Sequence, residues 1–439
     1  MKKIAIIGGG FAGLGAAYQL AQSRRDVEVH IFERSAELGG LAGSFPVGGS
    51  YLEQYYHHMF PDYHDIIGLC KDLGIGDNIF FKKAASGSFV NGKLYPFNSV
   101  IDVLQFTPLS FFDRLRLGFG IAYLRLTKNW KKFENITAAE WLKKYFGQRV
   151  YEIMWRPLLE GKFGECAEQV SMVWFWSRIW ERPMQFGYIR GGFKALTDAL
   201  GKRLKNLGVH IHFKAGVTLF EHDSAGKFIV NVSDTNEIFD AVVVAATPMV
   251  FLRIAPWLPE SYRAGLTQLR YSGTISLVLT LGRSFSPYYW LNIQDLSLPI
   301  LAVVEHTNFV GPEHYGGNHL LYVAKYIDPE SALYRMPDAE LLELYLASLE
   351  KINPAFDRSW VKDWKLFRAP ATQPIVKAGY QHMRPRIKTP VLNLYFVSMS
   401  HIYPWDRGTE RSFRLGKEAG DIIIRELGRD VMDDKSNFL

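Results

Sequence analysis

The chain of 439 residues is 48% hydrophobic, 14% aromatic and 22% charged. That is apolar material for two or three cored domains, and it excludes a disordered chain, a collagen-like repeat and a small disulfide scaffold. Two cysteines, Cys70 and Cys166, are too few for a disulfide framework or a Cys-rich metal module, and a net charge of +7 spread along the chain fits a solvated basic surface or an anionic partner other than nucleic acid.

Met1-Lys2-Lys3 is followed by the short apolar run Ile4–Ile7, which a glycine triplet ends. It is too short for a signal peptide, and no run reaches the roughly 18 apolar residues of a spanning helix. The expected location is cytoplasmic, or peripheral on the inner face of a membrane. Lys3–Ile7 reads as a buried strand, and Gly8, Gly10 and Gly13 follow with the G-x-G-x-x-G spacing that opens a dinucleotide-binding helix through Phe11 and Ala12. The first glycine makes the turn, the second admits a pyrophosphate, and the third lets the helix lie on the strand. A second strand, Val27–Phe32, ends at Glu33-Arg34, the position of a carboxylate for a ribose diol. A carboxylate there favours FAD or NAD over NADP.

Further along, Ile66–Leu73 reads as a helix ended by Gly74, and Phe89–Phe97 as a hairpin around Asn91-Gly92. Leu109–Lys132 reads as one long helix carrying aromatic residues and six Lys or Arg against Asp113, a pattern compatible with an anionic membrane surface or a solvated lid. Thr137 caps a helix to Tyr145, with Glu140 placed for a capping box. Phe193–Leu207 is an amphipathic helix; strands are expected at Val209–Phe213, Phe228–Val232, Ala241–Ala246, Ser272–Leu281, Leu320–Tyr326 and Asn393–Ser398. Helices are expected at Asp338–Lys351 and from about Arg407 to Glu426. No HExxH or Cys/His spacing is present, so no metal site is expected.

Several segments then resemble the superfamily of flavin amine oxidases, phytoene desaturases and protoporphyrinogen oxidases. Ser35–Phe45 is similar to its second glycine motif, with Gly39-Gly40 as the pair, Leu41 where Arg is frequent, and Ala42 and Ser44 following. Gly191-Gly192, Val209–Phe213 and Ala246-Thr247-Pro248 match the return of the chain to the cofactor domain, with Val217 at an adenine contact. Val397-Ser398-Met399-Ser400 stands where a Gly-Asp pair is usual, and Asp406-Arg407-Gly408 lead into the closing helix. The resemblance implies an α/β fold: a Rossmann-like FAD domain (1–60, 188–250, 386–428) interleaved with a mixed α+β substrate domain (61–187, 251–385) that has a helical, aromatic-rich part near 100–187, and a tail at 429–439. It implies FAD as cofactor, held by Gly8, Gly10, Phe11, Ala12 and Gly13, by Glu33 and Arg34, by Gly39, Gly40, Leu41 and Ala42, by Val217, Ala246 and Thr247, and by Ser398, Met399, Asp406, Arg407 and Gly408.

The implied activity is an oxidase or desaturase that moves hydride from a bulky apolar or ring-shaped substrate to flavin. Aromatic residues of the inserted segments would wall its chamber. His57 and His58, the strand residues Glu305, His306, Tyr322, Lys325 and Tyr326, and Tyr403 and Arg407 are the candidates for orienting substrate or moving a proton. Without a second dinucleotide motif, the electron acceptor is external. Two alternatives stay open: a non-redox enzyme resembling UDP-galactopyranose mutase, favoured by Arg407, Arg411 and Arg414, and a catalytically silent FAD-binding protein.

Overall fold

Residues 1–23, 26–181, 183, 185–232 and 235–436 are described by a computed structural model, 428–436 as backbone only. Five parallel strands form the sheet that carries the first glycine motif, in the order Leu394–Phe396, Ala241–Val244, Lys2–Ile7, Val27–Phe32, His210–His212. The apolar runs of Ala241–Val244, Leu394–Phe396 and the first strand suit strands covered on both faces, and Ile4, Ala5 and Ile6 are fully buried. The helix Phe11–Ser23 crosses from the first strand to its neighbour. The closing helix, Thr409–Ser436, packs against it so closely that a Cβ on Gly416 would stand 1.9 Å from the Ala12 carbonyl oxygen. That helix continues past Glu426 into the expected tail; residues 437–439 lie outside the described chain.

A second, seven-stranded sheet runs in the order Val361–Pro374, Tyr271–Leu281, His319–Ile327, Ala302–Glu305, Trp290–Ile293, Ser86–Val90, Lys93–Pro96. The Asn91-Gly92 hairpin joins its last two strands, with both turn residues at positive φ. Val361–Pro374 pairs along most of Tyr271–Leu281, although its alternating charges gave no readable apolar face. A three-stranded antiparallel sheet, Val217–His222, Phe228–Val232 and Thr235–Phe239, flanks the cofactor sheet.

The segment between Val100 and Trp180 is mainly helical. Most of its aromatics build its own core: Trp174, Trp176, Tyr151, Phe133 and Phe146 are buried almost completely. The expected helix Leu109–Lys132 is two elements, Phe111–Leu126 and a single turn at Trp130–Phe133. Ser110 caps the first through a reciprocal bond with Asp113, and Thr127 leaves helical geometry at its end. Thr137 caps Ala138–Phe146 by accepting the Glu140 amide at 3.2 Å.

Gly120 shows which force sets this packing. Alanine would favour the helix by about 1 kcal/mol. A Cβ there would sit 1.7 Å from the buried Phe146 ring, which is wedged among Trp141 and Trp155. Overpacking wins, and Gly120→Ala is expected to lower stability by about 2 kcal/mol net. A raised melting temperature for this variant would show that the two helices do not meet at this point.

Candidate cofactor and substrate site

Gly8 and Gly13 are demanded by the fold itself. Gly8 has φ +112°, and a Cβ on Gly13 would lie 2.0 Å from the Gly8 carbonyl oxygen. The second glycine motif is stitched to the first through backbone: the Gly39 amide donates to Gly9 O at 2.9 Å, and Gly10 bridges Gly39. A Cβ on Gly40 would come within 3.1 Å of Gly10 Cα. Glu33 is buried below this junction, where its two carboxylate oxygens accept the amides of Gly9 (2.7 Å) and Ser35 (2.8 Å). Its remaining lone pairs are available to a diol.

Other residues expected at the cofactor divide into groups. Ala42 is buried and Leu41 half-buried directly after the stitched pair. Phe11 is a core residue, edge-on to Phe193 at 6.2 Å, and the Ala12 carbonyl faces the closing helix. Arg34 is exposed beside Gly216, and Val217 opens the three-stranded sheet. Thr247 caps the helix Pro248–Ile254, its hydroxyl accepting the Val250 amide, and Ala246 precedes it. Ser398 bonds His401 instead of reaching outward, with Met399 half-buried beside it.

A cavity opens next to Leu41, lined also by Tyr55, Tyr56, His57, Thr274, Ser276, Tyr326, Thr372 and Arg407. Arg407 donates from Nη2 to the Tyr326 hydroxyl at 2.5 Å and from Nε to Gln373 Oε1 at 3.1 Å. The Tyr56 and Tyr326 hydroxyls are 3.3 Å apart. Behind them Lys162, buried on the helix Arg156–Phe163, places Nζ 4.5 Å from the Tyr326 ring centre and 5.4 Å from that of Trp174. Asp406 accepts from Arg178 (3.0 Å), Trp174 Nε1 (3.3 Å) and the Arg407 amide (3.0 Å). Gly408 adjoins the Tyr63 hydroxyl.

Here cations outweigh the single carboxylate. Burial opposes ionisation of Asp406, but Lys162, Arg178 and Arg407 hold it well below the usual carboxylate range. Burial pushes the Lys162 ammonium down to about 8. Burial alone would raise the Tyr326 phenol; Arg407 and Lys162 overcome that and bring it to about 8. Tyr56, buried beside it, moves up. Arg407→Met is therefore expected to raise the Tyr326 pKa toward or above the ordinary value of about 10. An ultraviolet pH titration would lose its earliest tyrosinate step, and an unmoved first step would remove Arg407 as the cause.

The expected catalytic residues do not form one group. His57 lines the cavity; burial pushes it down to about 4, and its Nδ1–H donates to Tyr55 O at 2.6 Å. His58 turns away against Phe186 and the Tyr289 hydroxyl. His306 is enclosed in the core, its Nε2 sharing a 2.8 Å hydrogen bond with Tyr315 and its ring against Tyr188. Glu305 is likewise buried, holding the Phe285 and Ser286 amides. Tyr403 donates to Glu134 and packs between Trp130 and Tyr380. These last three bind segments of the fold together, so among the histidine, tyrosine and arginine candidates it is His57, Tyr326 and Arg407 that meet at the cavity.

Lys162, Trp174, Arg178, Gln373 and Thr372 went unrecognised as site residues because they converge from two helices, Arg156–Phe163 and Met172–Trp180, and from the strand Val361–Pro374, far from both in sequence. Thr274 and Ser276 did have a signal: they are polar positions alternating with Ile275 and Leu277 on one strand.

A family profile of flavin-containing amine oxidoreductases matches residues 11–424. The chain belongs to this family. It is similar to coproporphyrinogen III oxidase of Staphylococcus aureus, with 26% identity over 291 residues, covering 57% of this chain and 62% of that protein. The chain thus spans less than two thirds of that curated relative's length. A crystal structure from Exiguobacterium sp. 255-15, provisionally described as a protoporphyrinogen oxidase, superposes with TM-score 0.78 at 19% identity over 97% of this chain and 99% of that one. Reduced UDP-galactopyranose mutase superposes with TM-score 0.74 at 17% identity, over 97% and 96%. These likenesses carry the fold: a Rossmann-like region with a mixed, partly helical second region.

Proposed function

We propose that this flavin amine oxidoreductase family member is an FAD-dependent oxidoreductase whose substrate binds in the cavity beside Leu41 and Arg407. One observation supports the reading: Leu41, which lines the cavity, directly follows the Gly39-Gly40 pair stitched to Gly10, so the cavity begins one residue beyond the second glycine motif. The residues fit the cofactor. Gly10 presents bare backbone at a helix start, Glu33 offers a carboxylate for the ribose, and Arg407 and Lys162 set a positive field at the cavity. Bound FAD would supply the hydride acceptor. Tyr56, Tyr326 and Arg407 position the substrate, and His57, neutral at physiological pH, presents an uncharged wall. The cofactor domain comprises 1–60, 188–250 and 386–428, and 61–187 with 251–385 form the substrate domain.

The aromatics of the helical segment mostly fill its own core, so the chamber is less apolar than composition implied. The substrate reading becomes a bulky or ring-shaped body carrying an anionic group toward Arg407. Purified protein should be yellow and release FAD on denaturation, and anaerobic mixing with acidic ring substrates should bleach it. A colourless protein that takes up no FAD would overturn the reading; a yellow one that never bleaches would favour the catalytically silent alternative.

The mutase alternative loses part of its support, since Arg411 pairs with Glu181, and Arg414 with Asp65 and Glu410. The cations of the cavity keep it testable: nucleotide-sugar binding that appears only after flavin reduction would select it. No described helix is long and apolar enough to cross a membrane. Phe112, Phe119 and Leu126 are nonetheless largely exposed on the basic helix Phe111–Leu126, beside exposed Val100 and Ile101. We read this face as one for anionic lipid, checked by cosedimentation with anionic against neutral vesicles.

A further inference from the structure

At the far edge of the cofactor sheet, His210–His212 pairs in parallel with Val27–Phe32, with His30 opposite His210 and Phe32 opposite His212. Side chains alternate along strands, so Glu28, His30, His210 and His212 share one face. Glu28 Oε1 lies 2.8 Å from His30 Nε2 and 3.9 Å from His210 Nε2, and the ligating atoms of the three residues all fall within 4.8 Å of one another. Donor atoms around a tetrahedral ion with bonds of about 2.0–2.1 Å stand about 3.3 Å apart. The three atoms bracket that spacing, and small side-chain shifts would converge them.

The surroundings support ligation. His30 is buried, and its other nitrogen, Nδ1, sits 3.0 Å from His212 Nε2, the kind of outer contact that fixes which nitrogen faces an ion. Glu237 adds a carboxylate 3.8 Å from that same Nδ1. His210 is exposed, leaving the remaining coordination positions to water. Lys3 approaches Glu28 at 3.5 Å from an exposed position and can yield to a divalent ion. A competing arrangement needs no metal: His30 hydrogen-bonded to both Glu28 and His212.

We propose that Glu28, His30 and His210 bind one divalent transition ion of the zinc or nickel class, a structural site separate from the cofactor chemistry. Two imidazoles and one carboxylate suit such borderline ions better than calcium or magnesium. The ion would clamp the edge strand beside Glu33, whose amide donates to His212 O at 2.9 Å. The pattern is present in the sequence as Glu-x-His and His-x-His, the period of strands, whereas a search for helical HExxH spacing passes over it.

The test uses untagged, metal-stripped holoprotein at about pH 7.5, where imidazole ligands are largely deprotonated. Calorimetric titration with Zn²⁺ should show one ion per chain, and Co²⁺ should develop ligand-field bands at wavelengths beyond the flavin absorption. Because His210 is exposed, His210→Ala should fold, keep its flavin spectrum and bind Zn²⁺ about 100-fold more weakly. His314→Ala, at an exposed histidine elsewhere, should bind as the wild type does. Absence of saturable uptake, or uptake unchanged by His210→Ala, would overturn the site and leave the metal-free hydrogen bonds of His30.

Discussion

Gly10→Val should yield a folded protein without flavin colour. The structure shows which of the three glycines of the first motif has room for a Cβ. Gly13 cannot carry a side chain, because its Cβ would collide with the Gly8 carbonyl, and Gly8 holds a left-handed conformation. Gly10 has no such conformation, and a Cβ there would meet nothing nearer than Gly40 Cα at 3.8 Å. The fold therefore has room for a Cβ at Gly10, whereas a pyrophosphate approaching the backbone leaves none. Valine should weaken FAD affinity by 100-fold or more, about 3 kcal/mol, with the apoprotein melting temperature within about 2 °C of wild type. Quenching of FAD fluorescence on titration measures the first quantity and calorimetry the second. Gly13→Ala should lose both cofactor and fold. Stoichiometric flavin in Gly10→Val would mean that the cofactor lies elsewhere.

Local chemistry was legible in the sequence and convergent chemistry was not. The turn at Gly8, the Thr137 cap and the Asn91-Gly92 hairpin are each set by neighbours in the chain, and each forms as its pattern dictates. Arg407, Tyr326 and Lys162 come from a loop, a sheet strand and an inserted helix, and nothing local ties them together. His306 and Tyr403 illustrate the converse. Both sit in segments resembling a flavin enzyme, yet burial with Tyr315 and with Glu134 uses their polar atoms for structure. The helix read through Leu109–Lys132 breaks where Thr127 turns its backbone extended, a boundary that continuous amphipathic character concealed.

Glu53→Gln should match wild type in stability at acid pH and exceed it at alkaline pH. Glu53 ends the strand Ser50–Glu53 with no exposed surface. Its Oε2 accepts the Tyr188 hydroxyl and its Oε1 the Phe193 amide, both at 2.7 Å, and its backbone carbonyl accepts from Tyr322 at 2.6 Å. Burial outweighs the two bonds to the carboxylate and pushes it up to about 7. The folded protein thus holds this proton more tightly than the unfolded chain. The associated stability is fully present below the unfolded value near 4.5 and is lost as pH rises through about 7. The loss is on the order of 3 kcal/mol, or about 3 °C in melting temperature for a chain of this length. Glutamine keeps an acceptor for Phe193, and Tyr188 can turn its hydroxyl to accept from the new amide. The variant should therefore match wild type near about pH 5 and melt higher near about pH 8.5. Glu181 is also raised, chiefly by burial, but it is present in both proteins and cancels in the difference. Glu53→Ala strands the Tyr188 and Phe193 donors and should cost about 2–5 kcal/mol at every pH. Parallel melting curves for wild type and Glu53→Gln across this range would mean that the carboxylate is ionised throughout, with its charge met by the surrounding donors.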